Sequence, residues 1–236
     1  MIMPSDKDYK ETKQIMLGKK EMNPDFKLLA DWIDKKFNVK TINLKYDTID
    51  KGTRPRLGVF FETAIEANSF HENGQFTNFD SKKQKQIADK FRLTLIEQGL
   101  IKKKKLTDFF KSPQSSKYKT ENIWIYTSAF EPIARSEANG KIPENKVQEL
   151  KREFDNKELW EISRAFSGAT FFFYTDEQVK KYENSEIVKK WTNKYFDLLT
   201  QFDEFGYFKR DSFSIYLDSK ENFDNNYESN WYYYYK

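Results

Sequence analysis

The stretch Ala169-Thr-Phe-Phe-Phe-Tyr-Thr175 decides the fold, because it is apolar on both faces of an extended chain. A strand with this pattern is typical of the centre of a sheet that is covered on both sides. The residues that follow, Thr175-Asp-Glu-Gln178, have the capping-box pattern with which a helix begins. We therefore predict a central strand that leads directly into a helix.

A faint internal repeat surrounds this stretch. Each copy has an aromatic strand, a helix, and an Ile-Tyr pair that is followed by a glutamate. The first copy contains 60–63, 90–91, 125–126 and Glu131, and the second contains 173–176, 194–196, 215–216 and Glu221. The basic segment near 102–119 makes the spacers unequal. Two explanations stay open, a duplication and a chance likeness between aromatic-rich strands.

Helices and strands alternate along the rest of the chain. Capping residues and apolar spacing predict helices that begin at Asn23, Asp80, Pro143 and Thr175. The third of these is expected to continue, after a possible break, through Leu159, Ile162 and Phe166 to a stop at Gly168. Alternating apolar residues predict strands at 42–46, 54–63, 122–127, 169–175, 213–217 and 231–235.

This order of elements predicts an α+β fold, with a mixed or largely antiparallel sheet of about six strands and amphipathic helices packed on it. Residues 1–22 are polar and are expected to form a flexible N-terminal arm or a short helix. Residues 23–236 are expected to form a single domain. The alternative is two related αβ lobes, 23–101 and 120–236, joined by an exposed basic loop at 102–119.

The composition excludes several classes of chemistry. The chain has no cysteine and one histidine, His71, so thiol catalysis and the common zinc sites are excluded. It has only 8 glycines and neither of the glycine-rich phosphate loops. The 22 Phe, 14 Tyr and 5 Trp predict a packed core. The polar start and the lack of a long apolar run predict a cytoplasmic protein without a membrane span.

Carboxylates are the remaining candidates for catalysis. Asp218, Glu221 and Asp224 follow a predicted strand, where they could hold magnesium or calcium. With 37 acidic residues in 236, such clusters also arise as solvated turns. We therefore predict no catalytic residue, no metal site and no cofactor.

Two groups of residues are candidates for binding. The predicted last strand places Trp231, Tyr233 and Tyr235 on one face, and Tyr and Trp are enriched in interface hot spots. The second group, Arg54, Arg56, Lys103 and Lys104, could contact the phosphates of a nucleic acid. The net charge of +4 is too small to favour nucleic acid by itself.

These observations favour a non-catalytic cytoplasmic protein that binds a macromolecular partner, most plainly another protein. An immunity or antitoxin-type protein of a bacterial conflict system would have these properties. The alternatives are a nucleic-acid-binding or processing factor that uses the basic loop, and a divalent-metal-dependent hydrolase that uses carboxylates.

Overall fold

The computed structural model describes residues 2–74, 78–102 and 117–236, and the chain divides into two compact units. Unit 1 is Met1–Glu131 and unit 2 is Pro132–Lys236. The predicted α+β fold is confirmed, but the six strands form two separate three-stranded sheets. The division falls between residues 131 and 132, whereas the two-lobe alternative placed it at 102–119. Within the described residues, no helix has the length and apolarity to cross a bilayer.

The helices and strands are numbered in chain order. The helices are α1 Lys7–Met16, α2 Lys27–Phe37, α3 Ala64–Asn68, α4 Ser81–Glu97, α5 Phe130–Lys141, α6 Glu144–Phe154, α7 Asp176–Tyr182, α8 Glu186–Thr200, α9 Lys220–Tyr227 and α10 Trp231–Tyr234. The strands are β1 Thr41–Ile49, β2 Arg54–Phe61, β3 Trp124–Ala129, β4 Leu159–Ala165, β5 Gly168–Phe173 and β6 Tyr216–Ser219.

The sheet of unit 1 has the order β1-β2-β3, with β1 and β2 antiparallel and β2 and β3 parallel. One face carries Leu44, Val59 and Phe61, which form a core with Ile33 of α2 and Phe91 of α4. All five side chains are buried, and burying each contributes roughly 1.5–3 kcal/mol.

Helix α1 packs on the opposite face of this sheet. The Asn43 side chain donates a hydrogen bond to the Thr12 hydroxyl at 2.9 Å, and the Tyr126 hydroxyl donates to Asp8 at 3.1 Å. Residues 1–22 therefore contain the short helix of the two predicted alternatives, docked on the sheet rather than extended as an arm. The helix also buries Tyr9, whose ring stacks on Phe130 with centroids 5.2 Å apart, but one buried aromatic residue does not give a hydrophobic periodicity.

Unit 2 repeats this arrangement with the sheet order β4-β5-β6. The first pair is again antiparallel and the second parallel. One face carries Phe171 and Phe173, which pack against Trp191 and Tyr195 of α8. On the other face, Phe172 is covered by side chains from α9 and α10.

The two units also agree in local detail. A β-bulge lies near the start of each antiparallel pair, between Thr41 and Asn43 in unit 1 and between Leu159 and Glu161 in unit 2. The helix after each second strand begins with a complete capping box, in which the cap is a threonine. Features of this kind are set by individual residues, so their coincidence supports a duplication over chance.

A backbone hydrogen bond repeats as well. In unit 1 the Glu131 N–H donates to the Glu62 carbonyl at 2.9 Å, and in unit 2 the Glu221 N–H donates to the Tyr174 carbonyl at 3.2 Å. Both glutamates belong to the repeat that the sequence indicated. Each bond joins the second residue after the parallel strand to the first residue after the neighbouring strand.

The prediction of a helix through 159–166 is wrong, because this segment is strand β4. Leu159 and Ile162 are both buried although they are three residues apart, a spacing that resembles a helix. In a regular strand they would lie on opposite faces. The bulge between Leu159 and Glu161 shifts the register by one residue, so both side chains reach the core.

The prediction of a strand at 231–235 is also wrong, because Trp231–Tyr234 forms helix α10. The Asn230 side chain accepts a hydrogen bond from the Tyr232 N–H at 2.9 Å and caps this helix. Five consecutive aromatic residues have no apolar periodicity, so the pattern could not separate strand from helix. Helices α3, α5 and α9 were not predicted.

Candidate binding surface

The structure keeps only part of the face that the sequence predicted, because the rings of Trp231 and Tyr235 stack with centroids 6.0 Å apart. Trp231 is 37% exposed and stacks on Trp160, with ring centroids 6.1 Å apart. Tyr233 is 48% exposed, while Tyr235 is partly buried and its hydroxyl donates to Ser163 at 2.7 Å. Residues four apart share a face of a helix, whereas Tyr233 lies two residues from each of the others and points in a different direction. The predicted common face therefore does not include Tyr233.

The basic candidates lie in unit 1. The guanidinium groups of Arg54 and Arg56 lie 5.9 and 6.0 Å from the ring centroid of Trp124, which is 37% exposed. Asp47 forms an ion pair with Arg56. The hydrogen bond within this pair raises the pKa of the Arg56 guanidinium. Lys103 and Lys104 lie outside the described residues.

The three candidate acids do not converge. Among the described residues, no group of three or more acids and histidines is arranged to hold a metal ion. Asp218 accepts from Asn222 and Tyr234, Glu221 accepts from the Asp176 N–H, and Asp224 pairs with Lys220. The Lys220 hydrogen bond lowers the pKa of the Asp224 carboxyl. Each of the three carboxylates thus bonds to protein groups in or beside helix α9, and the three do not point to a common centre.

His71 follows helix α3 in unit 1. Its Nε2 lies 2.9 Å from the hydroxyl of Thr127, which is buried in strand β3. The ring is partly buried and contacts Phe79. The geometry is that of a histidine that joins a loop to the sheet.

The most unusual backbone of unit 2 lies in the loop between β4 and β5, which consists of Phe166 and Ser167. Phe166 has φ +51° and is 59% exposed. A bulky residue in this left-handed region is rare and costs roughly 1–2 kcal/mol. The exposed ring recovers little of that cost by burial. Such an unfavourable feature is a reason to look for a function in this loop.

A buried hydrogen-bond network holds the loop in place. Asn139 of α5 is 1% exposed, and its Nδ2 donates to the carbonyls of Phe166 at 3.0 Å and Gly168 at 2.8 Å. Its Oδ1 accepts from the Tyr195 hydroxyl at 2.7 Å. Burial raises the pKa of the Tyr195 phenol, so this hydroxyl keeps its proton and its role as donor.

Exposed aromatic side chains lie on this loop, on strand β6 and on helix α10, and we call them the aromatic surface. They are Phe166, Tyr216, Trp231, Tyr232 and Tyr233, and they are between 37% and 67% exposed. Phe166 and Tyr216 line one cavity of about 360 Å³, and Phe166 and Trp231 line a second of about 540 Å³. The ring of Phe166 therefore stands between two concave sites.

Helix α10 is fixed to the sheet by its other aromatic residues. Trp231 stacks on Phe223, with centroids 4.2 Å apart, and the Tyr234 hydroxyl donates to Asp218 at 2.5 Å. These contacts leave Tyr232 and Tyr233 on the outside, where they are 67% and 48% exposed. The helix presents two outward tyrosines from a rigid support.

The sequence did not indicate a binding or positioning role for Phe166, Tyr216 or Asn139. The reading of 159–166 as a helix placed Phe166 on a core face. The Phe-Ser-Gly order before a strongly apolar strand is a turn signal that could have placed it correctly.

Comparisons of this chain with protein-family models, with curated proteins and with solved structures found no match.

Replacing Phe166 by Gly is expected to raise the free energy of unfolding by roughly 0.5–1 kcal/mol, because glycine adopts a positive φ without strain but loses more chain entropy. Urea denaturation would measure the change. Phe166→Ala is the matched control, since it removes the ring and keeps the strained Cβ. If the glycine variant is no more stable than the alanine variant, the loop is not strained.

Proposed function

We propose that this is a non-catalytic binding protein and that its aromatic surface contacts a protein partner. The observation that carries the proposal is Phe166, an exposed ring on a strained backbone that a buried network holds in place. A bulky aromatic residue in this position costs stability, and a partner that buries the ring would offset that cost. Preorganised aromatic side chains of this kind are typical of interface hot spots.

The composition of the surface supports a protein partner. Tyrosine and tryptophan bury large areas with little loss of side-chain entropy. The five rings of the aromatic surface include three tyrosines, which combine an apolar ring with a hydroxyl for polar contacts. A partner of the immunity or antitoxin type, and a cytoplasmic location, remain the finer predictions from the sequence.

A nucleic-acid-binding role has one supporting observation, the two guanidinium groups beside the exposed ring of Trp124. Basic groups with an aromatic ring can contact phosphates and stack a base. Asp47 pairs with Arg56 and reduces the positive charge available there. We therefore place this role second.

The test is affinity capture from extracts of the source organism with the tagged full chain. We expect a protein to copurify in a stoichiometric amount. Nuclease treatment of the extract should not reduce this amount. Phe166→Ala and the double variant Tyr232→Ala/Tyr233→Ala are each expected to reduce the retained protein by roughly tenfold or more.

Ile65→Ala is the matched control, because Ile65 is an apolar side chain of unit 1 that is 84% exposed. It is expected to retain the partner at the level of the unaltered chain. Equal retention by the Phe166→Ala variant would remove the basis of the proposal. Loss of the captured material on nuclease treatment, together with its loss in Arg54→Gln/Arg56→Gln, would favour the nucleic-acid role instead.

A further inference from the structure

The cavity of about 360 Å³ beside Phe166 has a lining that is unusual for this chain. Thirteen residues line it, and they include two basic residues, Arg135 and Lys209, and no acidic one. The whole chain has 37 acidic residues among 236, so a lining without any of them leaves the two basic residues as the only charged side chains that the structure describes at this cavity. Hydroxyl groups of Ser167, Thr170, Ser212 and Ser214 also belong to the lining.

The positive charge of Arg135 is fixed in position. Its Nη2 donates to the Tyr207 carbonyl at 2.6 Å, and its guanidinium lies 4.9 Å from the ring centroid of Phe208. Lys209 is exposed, and its Nζ donates to the Gly206 carbonyl at 2.7 Å. A cation that is already oriented loses less entropy when it contacts an anion.

Aromatic rings supply the rest of the wall. Tyr216 is 66% exposed, and its ring lies beside Gly168, where a Cβ atom would approach it to 3.4 Å. Phe166 stands on the same cavity. The two rings offer flat apolar surfaces next to the basic and hydroxyl groups.

The first unit shows what occupies the equivalent place. Tyr126 and Tyr216 each lie three residues before the last paired residue of their strand, opposite Gly58 and Thr170. In unit 1 the Tyr126 hydroxyl donates to Asp8 of α1, so a carboxylate-bearing helix covers this position. In unit 2 the corresponding tyrosine is mostly exposed and borders the cavity.

We propose that this cavity binds a small organic anion in which a planar ring carries a carboxylate or a phosphate group. The ring would lie against Tyr216 and Phe166, and the anionic group would lie near Arg135, Lys209 and the serine hydroxyls. The cavity volume is at the lower end of the range for small-molecule sites, which favours a ligand of one or two rings.

Isothermal titration calorimetry at low salt tests this with benzoate and phenyl phosphate as probes. At least one of them is expected to bind saturably, with a dissociation constant of about 1 mM or less. Benzyl alcohol, acetate and inorganic phosphate, which lack either the charge or the ring, are expected to bind roughly tenfold more weakly. The stronger of the two probes then identifies the anionic group as carboxylate or phosphate.

Tyr216→Ala and Lys209→Gln are each expected to weaken probe binding by roughly fivefold or more, because one removes the stacking ring and the other a charge. Both residues are exposed, so the variants should keep the fold, and circular dichroism would verify it. Ile65→Ala, at an exposed position of unit 1, should leave probe binding unchanged. Absence of saturable binding of both probes up to about 10 mM, or unaltered binding by Tyr216→Ala, would overturn the proposal. The protein-binding proposal stands or falls on the capture assay alone, and these two results do not bear on it.

Discussion

Replacing Asn139 by Ala is expected to lower the free energy of unfolding by roughly 3 kcal/mol. The side chain is 1% exposed and makes hydrogen bonds to three partners, the carbonyls of Phe166 and Gly168 and the hydroxyl of Tyr195. Removing it leaves a buried hydroxyl without its acceptor, and each such bond contributes about 1 kcal/mol net. The smaller alanine also leaves a small cavity against α8.

The same substitution should release the loop that carries Phe166. The positive φ of Phe166 is unfavourable, so it persists only while the surrounding contacts impose it. Hydrogen exchange of the Phe166 and Ser167 amides should therefore accelerate in Asn139→Ala, and the retention of a captured partner should fall with it. These readouts separate a loss of positioning from a simple loss of stability.

Two matched variants make the test specific. Tyr195→Phe removes one of the three hydrogen bonds and is expected to cost about 1 kcal/mol. Asn145→Ala, at an exposed position of α6, is expected to change stability by less than about 0.5 kcal/mol. If Asn139→Ala unfolds at the same urea concentration as Asn145→Ala, the network does not support the loop.

The sequence was informative wherever a segment had one regular apolar period. The helix around Trp191 was predicted from its undisturbed apolar spacing, and the strand around Phe171 from a short run that is apolar on both faces. The bulge in β4 made the helix prediction for 159–166 wrong, because an extra residue converts the apolar spacing of a strand into one that resembles a helix. The docking of helix α1 was not predicted for a different reason, because its buried residues Tyr9 and Thr12 are too few to form an apolar stripe.

The candidate site was less predictable than the fold. Composition indicated that aromatic residues near the end of the chain would matter, and Trp231 and Tyr233 do belong to the aromatic surface. The surface depends equally on Phe166, which is brought there by a two-residue loop and a buried Asn139. Such tertiary contacts join residues that are far apart in the chain, and no local pattern encodes them.

Stability is expected to fall steeply above pH 10, and Tyr195 should account for a measurable share of the loss. This side chain is fully buried, and burial raises the pKa of its phenol above the ordinary value of about 10. Below that pH both the folded and the unfolded chain hold the proton, so stability does not change. Above it the unfolded chain releases the proton while the folded chain keeps it, which favours unfolding by about 1.4 kcal/mol per pH unit.

Tyr195→Phe provides the decisive comparison, since phenylalanine has no proton to release. The variant should be less stable than the unaltered chain at pH 7, because Asn139 loses the hydrogen bond from the Tyr195 hydroxyl. Its stability should decline less steeply above pH 10, so the two curves of unfolding free energy against pH should converge near pH 11 and then cross. Parallel curves for Tyr195→Phe and the unaltered chain would mean that the Tyr195 phenol ionises in the folded protein as readily as in the unfolded one. The Tyr195 hydroxyl would then not be the buried donor that fixes Asn139 and the loop of Phe166.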